Sequence, residues 1–316
     1  MKRIGNLYEQ IISIENLKLV DEKARKGKRQ SYGVIIHDKN REANIIELNK
    51  ILKEKTFKTS RYNVFKVYEP KEREIYQLPY FPDRIVHHAV MNLLEPIWVS
   101  IFTADTYSCI KGKGIHAAVK KIKHDLKDLN GTQYCLKLDI RKFYPTIDHV
   151  ILKRIIRKKI KDADLLELLD KIIDSANGVP IGNYLSQYFA NLYMAYLDHH
   201  IKEVLQVKFY YRYADDMVVL SGSKAELWAI FAEIKTFLTD NLNIEIKSNY
   251  QIFPVSARGI DFLGYVFYHT HVLLRKTIKK RLAKSFKKPE NNYSFAAYWG
   301  WCKHCNSINL LNKLCA

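Results

Sequence analysis

No apolar run in this chain of 316 residues approaches the roughly 20 consecutive residues that a membrane-spanning helix needs. The opening Met1-Lys2-Arg3-Ile4-Gly5 has no apolar stretch of the signal-peptide kind. Both absences lead us to expect a cytoplasmic protein with no membrane partner. Internal repeats and low-complexity tracts are missing as well. Cysteine is scarce: Cys109, Cys135, Cys302, Cys305 and Cys315 are the whole complement of five. In a large cytosolic chain they read as reduced thiols. Cys302-Lys303-His304-Cys305 looks like half of a zinc site, but no second Cys/His pair stands at ligand spacing. Acidic residues are the other shortage. The 33 Asp+Glu face 52 Lys+Arg, leaving a formal net charge of +19. Such an excess calls for a polyanionic partner, nucleic acid before an anionic membrane.

What is present is enough for a large core, since 47% of the residues are hydrophobic. Residues 41–55 have helical spacing, with Ile45, Leu48 and Leu52 on one face. Residues 64–80 read as a strand pair turning at Glu69-Pro70-Lys71-Glu72. Helices are expected over 84–100 and 115–128, and a strand over Leu136–Ile140. A long basic amphipathic helix is expected near 149–175, then helices at 184–203 and 224–240. Short strands follow to about residue 270, and a basic, then aromatic, tail closes the chain. This order fits an α+β fold better than a parallel doubly wound sheet.

The chemistry concentrates in acids at strand ends. Phe209–Arg212 and Met217–Leu220 are strand-like runs flanking Tyr213-Ala214-Asp215-Asp216, which reads as a hairpin. Adjacent carboxylates at a hairpin tip resist ionising together, and a divalent cation removes that penalty. The plain alternative is a solvated acidic turn. About 75 residues upstream, Asp139 ends an apolar strand and precedes Ile140-Arg141-Lys142-Phe143-Tyr144. Carboxylates from two adjacent strands can bridge two Mg²⁺ about 4 Å apart, the arrangement used in nucleotidyl transfer. We therefore expect Asp139, Asp215 and Asp216 to form a metal cage, with the Ile140 carbonyl as a further ligand.

Tyr-x-Asp-Asp with Leu138-Asp139-Ile140-Arg141-Lys142-Phe143-Tyr144 resembles the palm of reverse transcriptases. The resemblance implies a right-hand polymerase: fingers, a palm of antiparallel sheet plus helices, and a short helical thumb. We place an N-terminal extension at 1–60, interleaved fingers and palm at 61–270, and the thumb at 271–316. It also implies that Tyr144 is the steric gate favouring dNTPs. Lys71-Glu72-Arg73-Glu74-Ile75 with Pro82-Asp83-Arg84 resembles the fingers block of group-II-intron-like bacterial enzymes, which implies that Arg73 and Lys71 clamp the triphosphate. Arg84 is left unassigned, since pairing with a neighbouring carboxylate explains it equally. Tyr107–His116, with Gly112 and Gly114, resembles the next block. Leu242–Lys247 resembles the block whose lysine meets the leaving pyrophosphate, which makes Lys247 a candidate general acid. Arg258–Tyr265 resembles the primer-grip block. Arg275, Lys276, Lys279 and Lys280 would begin a nucleic-acid-binding thumb. Tyr298-Trp299-Gly300-Trp301 reads as thumb core rather than a stacking platform.

The stretch Gly178-Val179-Pro180-Ile181-Gly182-Asn183-Tyr184-Leu185-Ser186-Gln187 discriminates further. Most reverse transcriptases carry Gln-Gly and Ser-Pro here, whereas this chain has Ile181-Gly182 and Ser186-Gln187. That departure resembles the reverse transcriptases of diversity-generating retroelements. The resemblance implies nucleotide contacts at Ile181, Gly182 and Gln187, and error-prone copying opposite template adenines. It further implies a structured cognate RNA as template and primer, a cDNA product, and a small basic accessory protein. Intron maturases, retron enzymes and anti-phage polymerases remain as other enzymes of this kind. A non-catalytic RNA-binding scaffold is the alternative outside the enzymes, though all three acids are kept.

Overall fold

The structure is a computed structural model that describes residues 2–68, 72–286 and 292–315. The chain forms two compact units that interleave in sequence. One comprises residues 1–102, 142–196 and 241–244; the other comprises 103–141, 197–240 and 245–316. Among the described residues, no helix is long and apolar enough to cross a membrane.

The first unit is mainly helical. Helices Ile14–Ala24, Arg41–Lys53 and Ile85–Val99 pack together around residues spaced three or four apart. Ile45, Leu48 and Leu52 are buried, as their spacing predicts. Strands β1 (Asn63–Val67) and β2 (Arg73–Gln77) pair antiparallel, from Asn63 opposite Gln77 to Val67 opposite Arg73.

The long helix expected over 149–175 is two helices, His149–Arg157 and Ala163–Ile173. Two interactions break it. Ile160 leaves the helical path to bridge with Ile4. Asp162 then caps the second helix, its Oδ1 accepting from Leu165 N at 3.2 Å. Its other oxygen accepts from Leu7 N and Tyr8 N at 2.6 and 3.0 Å. The carboxylate therefore joins the N-terminal segment to a helix start, which is more than amphipathic periodicity reveals.

Two histidines of helix Ile85–Val99 are held neutral. The Nε2 atoms of His87 and His88 are buried and, among the described residues, have no hydrogen-bond partner. Burial, with help from neighbouring positive charge, pushes their pKa values down to about 3 and about 4 respectively. Unfolded histidine titrates near 6.5, so the unfolded chain binds more protons below that pH. The stabilisation is complete above about pH 6.5 and falls by about 1.4 kcal/mol per pH unit per histidine on acidification. We expect thermal melts at pH 5.0 to fall several degrees below those at pH 7.5. His87→Gln should flatten that dependence, and an equally steep profile in the variant would contradict the assignment.

The second unit is built on a four-stranded antiparallel sheet. Its strands are β3 (Tyr134–Asp139), β4 (Phe209–Tyr213), β5 (Asp216–Ser221) and β6 (Gln251–Pro254), in the order β4-β5-β3-β6. Valine, leucine and aromatic residues fill β4 and β5, and both strands are almost entirely buried. A second sheet follows, of β7 (Ile260–Phe262), β8 (Tyr265–Phe267) and β9 (Val272–Leu274). Leu263 and Gly264 turn between β7 and β8 with positive φ of 51° and 84°. A Cβ at Gly264 would stand 2.5 Å from the Trp301 ring, so glycine there lets the tail pack closely. Tyr298 and Trp301 join this unit's hydrophobic core, whereas Trp299 is partly exposed.

Candidate active site

The sheet register brings the acids together. β3 and β5 pair antiparallel with Asp139 opposite Asp216. β4 and β5 close with Tyr213 opposite Asp216, leaving Ala214-Asp215 as a two-residue loop. Ala214 has a φ of 55°, the left-handed conformation such tight hairpins use. Asp215 is close enough to Asp139 for their carboxyls to share a hydrogen bond if one carries a proton. Burial, followed by the negative charge of Asp139, pushes Asp215 up to about 6. Burial also raises Asp216 to about 6, against the relieving charges of Lys137 and Arg275.

Two cations balance the cluster. The Lys247 ammonium contacts Asp139 Oδ2, and Lys247 N donates to the Asp139 carbonyl at 2.8 Å. Lys137 Nζ lies 3.9 Å from Asp216 Oδ2. Ile140 is fully buried and forms an isolated bridge with Ile246 rather than extending the strand. The flanking bonds run from Arg141 N to Glu245 O and from Lys247 N to Asp139 O, so neither uses the Ile140 carbonyl.

Among the described residues, no group of three or more His, Cys, Asp or Glu side chains is arranged to hold a metal ion as it stands. The donor chemistry nevertheless suits a hard divalent cation. Asp139 Oδ1 and Asp216 Oδ1 are buried and, among the described residues, have no hydrogen-bond partner. Unsatisfied, anionic oxygens at the junction of two strands are the ligands such ions take. A cation binding there competes with Lys247 for Asp139.

Behind the loop lies an ion pair that motif reading missed. Arg212 and Asp198 are both fully buried. Arg212 Nε donates to Asp198 Oδ1 at 2.7 Å, and Nη2 donates to Oδ2 at 2.6 Å. Arg212 Nη1 donates to the Ala214 carbonyl at 3.0 Å. Tyr210 and Thr106 hydroxyls donate to the same carboxylate at 2.7 and 2.9 Å. The guanidinium thus ties the left-handed residue of the loop to the C-terminal end of helix Tyr184–His199. The available signal was a charged residue inside an otherwise apolar strand.

Arg275 pairs with Asp261, Nε to Oδ1 at 2.6 Å, and its N donates to Gly264 O. Lys276, Lys279 and Lys280 lie on the following helix, Lys276–Phe286. His116 stacks on His304 at 3.8 Å between ring centroids, a neighbour for the Cys302–Cys305 segment that linear spacing could not reveal.

The first unit gathers the remaining candidates, except Lys71, which lies outside the described residues. Tyr144 is half-buried, and its carbonyl accepts from Val179 N at 2.8 Å. Gly178, with φ of 61°, lies so near that a Cβ would come within 2.5 Å of the Tyr144 and Pro145 carbonyls. The Ile181 carbonyl accepts from Tyr76 N of β2 at 2.8 Å. A Cβ at Gly182 would stand 2.8 Å from Tyr76 O. The 178–182 segment is therefore fitted against both the Tyr144 turn and β2. Arg73 opens β2 and is exposed, and Gln187 is exposed on helix Tyr184–His199.

The model of the family described as "Reverse transcriptase (RNA-dependent DNA polymerase)" matches residues 66–267. The chain belongs to this family. It is 27% identical over 244 residues to Protein YkfC of Escherichia coli, covering 63% of this chain and 62% of that protein. It is 23% identical over 262 residues to the group II intron-encoded protein LtrA of Lactococcus lactis, covering 60% of this chain and 43% of that protein. The chain thus spans less than two thirds of these relatives. Telomerase structures from Candida albicans and Candida tropicalis share the fold, at TM-scores of 0.53 and 0.54 and identities of 10% and 13%. These alignments cover 74% and 73% of this chain, and 51% and 60% of the telomerase chains. The architecture is the α+β polymerase fold.

Proposed function

We propose that this chain is an RNA-directed DNA polymerase of a diversity-generating retroelement, making cDNA from a cognate RNA with errors at template adenines. The observation that carries the polymerase reading is the register placing Asp139 opposite Asp216, beside the Asp215 loop. In this reading residues 61–270 supply interleaved fingers and palm, 271–316 a thumb, and 1–60 an extension. Asp139, Asp215, Asp216 and the Ile140 carbonyl would hold two Mg²⁺, which neutralise charge on the phosphates and primer 3′-oxygen. Arg73 and Lys71 orient the triphosphate. Lys247, which pairs with Asp139, would donate a proton or positive charge to the leaving group. Tyr144 fills the space of a ribose 2′-hydroxyl. Arg275, Lys276, Lys279 and Lys280 take backbone phosphates. A small basic accessory protein and a cytoplasmic location complete the proposal.

The retroelement class is supported by Ile181 and by Gln187 after Ser186. Ile181 puts an apolar branched side chain where a hydrogen-bonding one is usual, so polar contacts constrain the nascent pair less. The experiment is primer extension on an RNA template with Mg²⁺ and dNTPs, followed by sequencing of the cDNA. We expect substitutions concentrated opposite adenines, and Ile181→Gln should reduce them several-fold. Uniformly low error would leave a reverse transcriptase of intron, retron or defence type. Tyr144→Ala should admit ribonucleotides at least about tenfold better, since a clash on one hydroxyl is removed. Unchanged sugar discrimination would remove Tyr144 from the gate.

A further inference from the structure

Lys137 stands beside the acids of the site without bonding to any of them. It lies on β3 two residues before Asp139, so both side chains leave the same face of the strand. The register sets Lys137 opposite Val218 and Asp139 opposite Asp216, which makes Lys137 and Asp216 diagonal neighbours on that face. Lys137 Nζ is 3.9 Å from Asp216 Oδ2, an ion pair too long to be a hydrogen bond. Its hydrogen bond goes instead to the Asp261 carbonyl on β7.

Both ends of this side chain are held. β3 has a hydrogen-bonded strand on either side, β5 and β6. Asp261 pairs with Val266 in the second sheet, and its Oδ1 accepts from Arg275 Nε at 2.6 Å. Arg275 N in turn donates to Gly264 O at 2.9 Å, in the turn between β7 and β8. A long and otherwise mobile side chain therefore keeps its charge at a set place next to Asp216.

Lys247 treats its acid differently. Its ammonium bonds Asp139 Oδ2 directly and so occupies an oxygen that an incoming cation would use. A divalent ion can replace that contact. Lys137 occupies no carboxylate oxygen, and Asp216 Oδ1 has no hydrogen-bond partner among the described residues. An ion taking Asp216 has nothing to displace there, but it meets a positive charge that a carbonyl holds in place. A fixed like charge a few ångströms away weakens cation binding.

We propose that Lys137 is a positioning residue acting through Asp216: a fixed countercharge that steadies the carboxylate, leaves one of its oxygens open and keeps the affinity for a divalent ion low. The proposal rests on the reading of Asp139, Asp215 and Asp216 as a metal cage. Its consequence is a site that empties readily when no anionic substrate shares the ion.

The test follows Tm against Mg²⁺ concentration without nucleic acid or dNTP, so it needs no activity. The signal is the part of the Tm rise that Asp215→Asn abolishes. In Lys137→Met the Mg²⁺ concentration giving half of that rise should fall at least about threefold, because a repelling charge is gone. Lys137→Arg keeps the charge and should stay within about twofold of the wild type. Lys137→Gln is neutral but still a donor toward β7. It should fall as Lys137→Met does, and it gives the reading if the methionine variant does not fold. A half-saturating concentration that rises or stays put in the neutral variants overturns the proposal and leaves Lys137 a plain link between two sheets. So does a Lys137→Arg value that falls with theirs. A wild type whose Tm does not respond to Mg²⁺ overturns the metal cage itself, and the proposal with it.

Discussion

Asp215→Asn is expected to reduce dNTP incorporation by at least about 10³-fold while leaving the protein folded. The residue sits at the tip of a two-residue loop between β4 and β5, beside Asp139. Asparagine keeps the shape and removes the negative charge that a divalent ion would need there. The stability effect has the opposite sign. The folded-state pKa of Asp215, about 6, lies above that of an unfolded aspartate. Such a group costs the metal-free protein stability as pH rises through the interval between the two values. The variant escapes that cost, so its Tm at pH 7.5 without divalent ions should equal or exceed the wild-type Tm. Added Mg²⁺ should raise the wild-type Tm more than that of the variant. Incorporation near the wild-type rate would remove Asp215 from the chemistry. A large fall in Tm would show instead that the carboxylate is structural.

Arg212→Ala should be destabilising by about 3–5 kcal/mol, because it leaves Asp198 as an uncompensated buried charge. The same holds for Asp198→Ala. Arg212→Lys is the informative variant. It keeps a positive charge beside Asp198, but one ammonium cannot reproduce a fork that spans the Asp198 carboxylate and the Ala214 carbonyl. We expect it to recover much of the lost Tm and to leave kcat depressed by about tenfold or more, with the KM for dNTP little changed. Recovery of stability and kcat together would show that the arginine supports the fold without setting the loop.

The strand pattern and the motif spacing announced the palm. Alternating and continuous apolar runs located β3, β4 and β5, and the acids at their ends could be assigned to one cluster before any coordinates. The cations around that cluster were less legible. Lys247 was found by its resemblance to a family block, whereas Lys137 looks like any polar position on an alternating strand. Arg212 and Asp198 are separated by a helix end and a turn, and pairing across such a gap is a tertiary fact. The broken helix at 158–162 failed for a related reason. Its amphipathic period continues through the break, and what stops it is a bridge to Ile4 from the far end of the sequence. Arg84 shows the reverse case. A neighbouring carboxylate was a reasonable expectation, yet Asp83 turns to Ser60 N at 3.0 Å.

The chain passes from one compact unit to the other after residues 102, 141, 196, 240 and 244. No single cut can therefore release either unit whole. Recombination that swaps a single contiguous stretch with a homologue can never exchange either unit entire, so it mixes two parental sequences within at least one unit, and mismatched cores should be the common result. Point substitution and surface insertion remain as the routes by which such a protein diversifies, and the same restriction advises against dissecting it by fragment expression.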